Sequence, residues 1–256
     1  MWKASLFAVA ALALLFPASE SRAAELVIFS TGSMSEPVKE IGEAFTHATG
    51  HKLSYVIGPT GLLQRKLRAG EHSDVIAISA EGAGPLAQEG RFAGAREPFA
   101  RSVVALAVKA GTKLPDISTP DAFKQAMINA KSISISDPAL GSISGVYLLG
   151  LFEKMGIAEQ MKRKTVIKPV GTEVATAVAA GEAEIGVTFR SELIPNKGVT
   201  VAETFPEAIQ SPTLYVIGMS STAKAKDAAQ AFVAFALTRE SQDKLRVLGV
   251  QPAAQR

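Results

Sequence analysis

The feature that most constrains this chain is a short apolar strand that breaks into a helix at a turn of hydroxyl side chains and glycine. The strand runs from Leu26 to Phe29, and a Ser-Thr-Gly turn ends it. Apolar residues then recur at helical spacing from Met34 to Phe45. Ser33 is placed to cap this helix, and Glu36 follows three residues later, as in a capping box. The backbone N–H groups of such a helix start can hold an anion.

The same break from strand to helix occurs four more times along the sequence. A strand over 51–57 ends at a Gly-Pro-Thr-Gly turn, where Thr60 is predicted to cap the second helix. A strand over 132–136 ends in a long hydroxyl and glycine turn, where Ser144 is the predicted cap. The last two breaks place Val174 in the first turn of a helix and Arg190 directly behind a strand that ends at Phe189.

Strands and helices alternate, which predicts an α/β fold with a mostly parallel, doubly wound sheet. The alternation is interrupted near residues 100 and 215, so the sequence predicts two lobes in one chain. We place residues 24–100 and 220–256 in lobe I, with the two tail helices returning to it, and residues 101–219 in lobe II. Ligand sites favour the cleft between two such lobes.

The N-terminal residues predict an exported protein. Lys3 precedes an unbroken apolar run from Leu6 to Phe16, and small residues follow at the two positions that a signal peptidase reads. We therefore expect residues 1–23 to be a signal peptide that is cleaved after Ala23. The sequence contains no cysteine, so the exported protein would be stabilised by its core without disulfides.

Charge and motif content exclude several classes of function. The 27 basic and 24 acidic residues are nearly balanced, with no clustered basic face, which argues against a nucleic-acid partner. The three histidines do not fall on the strand-to-helix turns, and the sequence contains neither metal-ligand spacing nor a nucleophile elbow nor a phosphate loop. We predict no cofactor and no metal. Acid/base chemistry stays open only through Asp137, Glu173, a tyrosine or a lysine that the fold brings into the cleft.

The chemistry of the turns suits a small anion. A compact oxyanion needs many hydrogen-bond donors, which Ser33, Thr60, Ser144 and backbone N–H groups could supply without a buried positive charge. Arg190 leaves two alternatives open. Its guanidinium could form a bidentate pair with a carboxylate ligand, or it could lie on the surface beside an acid such as Glu192.

An ordered series of motifs resembles the periplasmic molybdate-binding proteins of ABC transporters. The resemblance covers essentially the whole chain after the signal peptide and implies a type II periplasmic binding protein fold, with two α/β lobes joined by a two-strand hinge near residues 100–104 and 212–218. The motifs are Phe29-Ser-Thr-Gly-Ser-Met34, Gly58-Pro-Thr-Gly61 with Arg65, Ala69-Gly70 before Asp74-Val75, Asp137-Pro138, and Gly181-Glu-Ala-Glu-Ile-Gly186.

The resemblance also implies a set of ligand-binding positions. The family's ligand-binding tyrosine falls on Phe189, which lacks the hydroxyl, and Arg190 stands beside it. A site that lacks this phenol and has a guanidinium beside it could bind a larger, carboxylate-bearing anion. The remaining positions fall on Ser33, Thr60, Ser144 and the backbone amide of Val174.

Two functions follow as expectations. The first is a monomeric periplasmic binding protein that captures a small oxyanion or organic acid anion and delivers it to an ABC permease in the inner membrane. The alternative is a periplasmic isomerase resembling aconitate isomerase, which moves a double bond in a tricarboxylate by proton transfer. An isomerase needs a base at the substrate carbon, and the sequence nominates no catalytic residue.

Overall fold

The computed structural model describes residues 23–253. The predicted signal peptide therefore lies, apart from its last residue, outside the described part of the chain. The strands are β1 (Glu25–Thr31), β2 (Lys52–Gly58), β3 (Val75–Ser79), β4 (Glu97–Ser102), β5 (Val104–Lys109), β6 (Ile133–Ser136), β7 (Thr165–Lys168), β8 (Ile185–Phe189), β9 (Val199–Thr204), β10 (Thr213–Met219) and β11 (Gln251–Pro252). The helices are α1 (Ser35–Thr49), α2 (Thr60–Arg68), α3 (Ala80–Gln88), α4 (Pro120–Asn129), α5 (Ile143–Lys154), α6 (Ala158–Lys162), α7 (Gly171–Ala180), α8 (Arg190–Leu193), α9 (Lys226–Ala236) and α10 (Arg239–Val247).

The strands form two sheets, one in each lobe. The sheet of lobe I has the order β11-β4-β10-β3-β1-β2, in which β2, β1 and β3 are parallel and the other three strands are antiparallel to their neighbours. The sheet of lobe II has the order β7-β6-β8-β5-β9, with β7, β6 and β8 parallel. Each sheet thus combines three parallel strands with antiparallel ones. The antiparallel strands include those that carry the chain between the lobes.

The chain crosses between the sheets at two places. At Val103 it passes from β4 in lobe I directly to β5 in lobe II. It returns through residues 205–212, between β9 in lobe II and β10 in lobe I. Sheet membership therefore puts 213–219 in lobe I, whereas the sequence boundary put this strand in lobe II. The reason is that β10 pairs with both β3 and β4. Pairing between strands that are far apart in the sequence cannot be read from a local apolar run.

Three predicted helix caps differ from the observed ones. A short 3₁₀ turn at Gly32–Met34 separates β1 from α1, so Ser33 does not cap α1, and Glu36 pairs with Lys39 instead. Thr60 is the first residue of α2 rather than its cap, and the cap of α5 is Ser142, whose hydroxyl accepts from the amide of Gly145. The predicted cap positions were wrong by one or two residues. As a result the hydroxyls of Ser33, Thr60 and Ser144 do not serve their own helix starts.

The core places the ends of the parallel strands against one another. Phe29, Ile76 and Ile78 are buried in lobe I, while Ile135 and Val187 are buried in lobe II. At the boundary between the lobes the ring of Phe189 lies edge-on to the ring of Tyr215, with 5.9 Å between ring centres and 78° between ring planes. Since β1, β2, β6 and β8 all end at this boundary, their turns face a common cleft.

Candidate functional site

Lobe I brings Ser33 and Thr60 to the cleft. Ser33 lies in the 3₁₀ turn after β1 and is 3 % exposed, with its hydroxyl 3.4 Å from that of Thr31. Thr60 begins α2 directly after Pro59, and its hydroxyl is buried without a hydrogen-bond partner among the described residues. A buried hydroxyl normally has a partner. The unsatisfied hydroxyl of Thr60 therefore indicates a place where a ligand would bind.

Lobe II brings a cluster of linked hydroxyls to the same cleft. Ser142 and Ser144 stand at the start of α5, and the hydroxyl of Ser136 at the end of β6 lies 2.6 Å and 2.8 Å from theirs. Ser144 also lies 3.2 Å from the hydroxyl of Thr188 on β8. Gly145 permits this packing, because a side chain there would collide with the carbonyl of Ser136. The lobe II hydroxyls are thus held in place before any ligand arrives.

The two lobes contact each other around a small cavity. Its volume is about 20 Å³, which is room for a group of about the size of one water molecule. The hydroxyl of Ser191 donates to the carbonyl of Ser33 at 2.7 Å, and the amide of Gly61 donates to the carbonyl of Gly141 at 3.4 Å. These contacts join opposite lobes, so the cleft is closed. The lining consists of Thr31, Gly32, Ser33, Pro59, Thr60, Ser142, Ile143, Ser144, Phe189, Glu192 and Tyr215.

Glu192 is the charged residue of the lining, and the sequence analysis considered it only as a surface partner of Arg190. It lies on α8, is 6 % exposed, and accepts a hydrogen bond of 2.6 Å from the hydroxyl of Thr188. Burial raises the pKa of Glu192 to about 7, although hydrogen bonds from Thr188 and from the amides of Phe189 and Gly171 act in the opposite direction. The sequence feature that could have identified Glu192 is a single acidic residue shortly after a buried strand that ends at the cleft.

Tyr215 is the second residue that the sequence interpretation missed. It lies on β10, its side chain is fully buried, and its hydroxyl makes no hydrogen bond within the described residues. Burial is the main reason that the pKa of its phenol is raised, the neighbouring hydroxyl of Ser33 acts in the opposite direction, and Glu192 raises the pKa further. The sequence interpretation placed this strand in lobe II. Only its pairing with β3 in lobe I brings the phenol beside Ser33 and the cavity.

The structure brings together four of the six predicted site residues. Ser33, Thr60, Ser144 and Phe189 line the cavity, whereas Val174 and Arg190 do not. The amide of Val174 is directed to the carbonyl of Val170, within α7. The backbone amide of Gly171, at the start of α7, donates to the carboxyl of Glu192. A side chain at Gly171 would collide with this carboxyl. The α7 amides thus serve a protein carboxyl here.

Arg190 points away from the cavity. Its guanidinium donates to the carbonyl of Ala202 on β9 at 3.1 Å, and its aliphatic stem packs beside Gly249. It forms no ion pair with Glu192, which was the surface alternative that the sequence left open. In this closed arrangement the lining therefore contains hydroxyls, a carboxyl group and a phenol but no cationic side chain.

This set of groups suits an anion that accepts hydrogen bonds. Hydroxyls of Ser, Thr and Tyr can each donate one hydrogen bond, and donation to a charged acceptor is stronger than to a neutral one. Within residues 23–253 no group of three or more His, Asp or Glu side chains could hold a metal ion. Over the same residues, no helix has both the length and the apolar character needed to cross a membrane.

Comparison with known proteins identifies relatives of two kinds. The chain is 30 % identical to an aconitate isomerase from Pseudomonas sp over 234 residues, covering 89 % of this chain and 87 % of that protein. It is 25 % identical to the molybdate-binding protein ModA of Rhodobacter capsulatus, covering 89 % of this chain and 88 % of the relative.

Solved structures give the same fold. The periplasmic molybdate-binding protein of Azotobacter vinelandii superposes with a TM-score of 0.72 at 18 % identity, covering 88 % of this chain and 98 % of that one. This likeness confirms the predicted type II periplasmic binding protein fold of two α/β lobes. A family model described as bacterial extracellular solute-binding protein matches residues 26–250, which is nearly all of the described chain. The chain therefore belongs to the bacterial extracellular solute-binding protein family.

Proposed function

We propose that this protein captures a small, multiply charged oxyanion of the molybdate type in the cleft between its lobes. The observation that carries this proposal is the unsatisfied, buried hydroxyl of Thr60 beside those of Ser33 and Ser144. These hydroxyls come from opposite lobes, so an anion bound between them would hold the lobes together. The hydroxyl of Tyr215 adds a phenol donor on the side of the cavity where Phe189 has none.

The charge of the lining favours a compact oxyanion over a tricarboxylate. A tricarboxylate would bring several negative charges to a lining that offers no guanidinium or ammonium group. Arg190 would have to leave the carbonyl of Ala202 to reach it.

The transport role extends the proposal to a partner and a location. A binding protein of this kind is exported, acts as a monomer in the periplasm after cleavage near Ala23, and hands its anion to an ABC permease. Closure of the lobes about the crossings at Val103 and residues 205–212 would present one closed shape to that permease. The names of the molybdate-binding relatives support this role.

Calorimetric titration of the purified protein with molybdate, and then with cis- and trans-aconitate, tests the proposal. We expect molybdate to bind with submicromolar affinity and the tricarboxylates to bind weakly. Ser33→Ala should weaken molybdate binding by about 1–3 kcal/mol if its hydroxyl pairs with the buried anion. Heat from the tricarboxylates alone would contradict the oxyanion proposal.

Glu192 favours a second candidate function, an isomerase acting on a tricarboxylate. A carboxyl group with a pKa of about 7 is matched to proton transfer at neutral pH, and the 30 % identical relative is an aconitate isomerase. In that reaction Glu192 would take a proton from one carbon and return it to the carbon at the other end of the shifted double bond. Turnover of aconitate that disappears in Glu192→Gln would establish this candidate in place of the first.

A further inference from the structure

A chain of hydroxyls connects the buried carboxyl of Glu192 to the cavity. Thr188 lies 2.6 Å from Glu192, Ser144 lies 3.2 Å from Thr188, and Ser144 lines the cavity. Each of these hydroxyls has one proton and can therefore donate only one hydrogen bond. Glu192 also lines the cavity itself, so its protonation decides whether its own carboxyl presents a donor or only acceptors to a ligand.

An ionised Glu192 presents only acceptors to the cavity that it lines. The hydroxyl of Thr188 donates to this carboxylate, and Ser144 lies within hydrogen-bond distance of Thr188, Ser136 and Ser142, so its proton has acceptors within the protein. A fully deprotonated oxyanion would then meet a like charge on a buried carboxylate.

A neutral Glu192 removes this like charge. Its carboxyl still accepts from Thr188, and its proton gives the lobe II side of the cavity a donor that it can direct at a bound anion. Protonation therefore changes the carboxyl from a repelling group into a hydrogen-bond donor.

We propose that the closed site takes up one proton with each multiply charged oxyanion, and that Glu192 is the group that carries it. This inference rests on the proposed function and adds a condition for binding to it, which is that one proton enters the site with the anion. A bound oxyanion places a second negative charge beside the carboxyl and raises its pKa further, so a carboxyl that is ionised in the anion-free protein above about pH 7 is protonated in the complex. Binding is then tightest at low pH and weakens as pH rises above the pKa of Glu192.

Among the side chains that the structure describes around Glu192, no other group would take over this role. Tyr215 on β10 is the titratable side chain across the lobe boundary, and the pKa of its phenol is raised, so it stays neutral. Among the elements packed against α8, Lys109 on β5 and Glu173 on α7 are exposed, and Arg190 is bound to a carbonyl. The 3₁₀ turn at Gly32–Met34, strand β8 and the described side chains of β9 carry no charge.

The experiment is calorimetric titration of the protein with sodium molybdate from about pH 6 to about pH 8, at each pH in two buffers with different ionisation enthalpies. The difference between buffers measures protons taken up. We expect proton uptake to be small at about pH 6 and to approach one per molybdate at about pH 8, with a Kd whose rise approaches tenfold per pH unit above the pKa of Glu192. Glu192→Gln should bind molybdate with a Kd that does not depend on pH and without proton uptake.

Glu159→Gln is the matched control, since Glu159 is exposed on α6 and should leave the pH dependence unchanged. If Glu192→Gln fails to fold, the number of protons that the unaltered protein takes up per molybdate still tests the inference. Molybdate binding without proton uptake, or with a flat pH profile, would overturn this inference alone. A protein that binds neither molybdate nor sulfate at any pH would overturn the proposed function, and this inference with it.

Discussion

Both lobes supply hydroxyls to the same cavity, but the hydroxyls of the two lobes differ in how far they are already hydrogen-bonded within the protein. In lobe I the hydroxyl of Thr60 has no partner among the described residues, and that of Ser33 lies 3.4 Å from the hydroxyl of Thr31 and beside the phenol of Tyr215. In lobe II the hydroxyls of Ser142 and Ser144 are joined through Ser136, and Ser144 continues through Thr188 to Glu192. Lobe I therefore presents free groups, whereas lobe II presents a connected network.

This difference assigns separate tasks to the two sides of the cleft. Free hydroxyls gain a hydrogen bond when a ligand arrives and lose none, so they contribute to affinity and little to stability. Connected hydroxyls contribute to the stability of the lobe, and their donating direction depends on the group at the end of the network. Substitutions in lobe I and lobe II should consequently separate binding from stability.

The largest effect is expected for the double variant Ser33→Ala/Thr60→Val, which removes both free hydroxyls of lobe I. A hydrogen bond to a charged group contributes about 1.5–3 kcal/mol, so the pair should weaken molybdate binding by about 10²- to 10⁴-fold. The free energy of unfolding should change by less than about 1 kcal/mol, because these hydroxyls bond to little within the protein. Titration and denaturant unfolding measure the two quantities.

Ser144→Ala is the matched variant in lobe II. It should lower both affinity and the free energy of unfolding, the latter by about 1 kcal/mol, because it breaks the contacts to Ser136 and Thr188. Equal losses of stability in the lobe I and lobe II variants would contradict the conclusion that only the connected hydroxyls of lobe II stabilise the fold.

The next effect concerns stability and pH. The pKa of Glu192 is raised to about 7 in the folded protein, above its value in the unfolded chain, so the folded state holds a proton that the unfolded state has lost. The contribution of Glu192 is fully present below the unfolded pKa and is lost as pH rises through the folded pKa. Relative to Glu192→Gln, the protein should lose about 3 kcal/mol of unfolding free energy between about pH 4.5 and 7.

Denaturant unfolding at a series of pH values, in the absence of anion, measures this difference. Glu159→Gln again serves as the control, since it removes an exposed carboxyl from the same lobe. A constant difference between the protein and Glu192→Gln over this range would show that the carboxyl keeps its ordinary pKa.

A smaller effect should follow from Gly61→Ala, which acts where the lobes touch. A Cβ at Gly61 would lie 2.8 Å from the carbonyl oxygen of Leu140 and 3.0 Å from the Cα of Gly141, so the lobes must move apart. We expect affinity for the anion to fall by about tenfold, or about 1.4 kcal/mol. The melting temperature should stay unchanged, because the contact joins two separately packed sheets.

Gly84→Ala provides the control for this variant. Gly84 also lies in a helix of lobe I, and a Cβ there meets open space. Unchanged affinity in Gly61→Ala would indicate that the anion binds without the closed contact between α2 and the Pro138–Leu140 turn.

The smallest effect is expected for Arg190→Ala. Because its guanidinium bonds to the carbonyl of Ala202, outside the cavity, molybdate affinity should change by less than about twofold, or about 0.4 kcal/mol. Titration checks this directly. A loss of tenfold or more would mean that the arginine turns into the cleft when the ligand binds, as the carboxylate alternative requires.

Much of the fold could be predicted because its signals are local. The strands predicted over 26–29, 51–57 and 132–136 match β1, β2 and β6 within one or two residues at each end. The short or irregular elements β4, α6, α8, β9 and β11 were missed. The passage of the chain between the two sheets at Val103 is decided by pairing with distant strands, which a local apolar run does not reveal.

The sequence by itself determined that hydroxyl-rich turns follow the strands, and hence that Ser33, Thr60 and Ser144 stand at strand ends. Tertiary structure alone decided which donors remain free, because hydrogen bonds between distant segments use some of them and leave Thr60 unsatisfied. It also brought Glu192 and Tyr215 to one cavity from elements far apart in the chain. Burial then set the pKa of Glu192, and burial is a property of the packed molecule rather than of a residue in sequence.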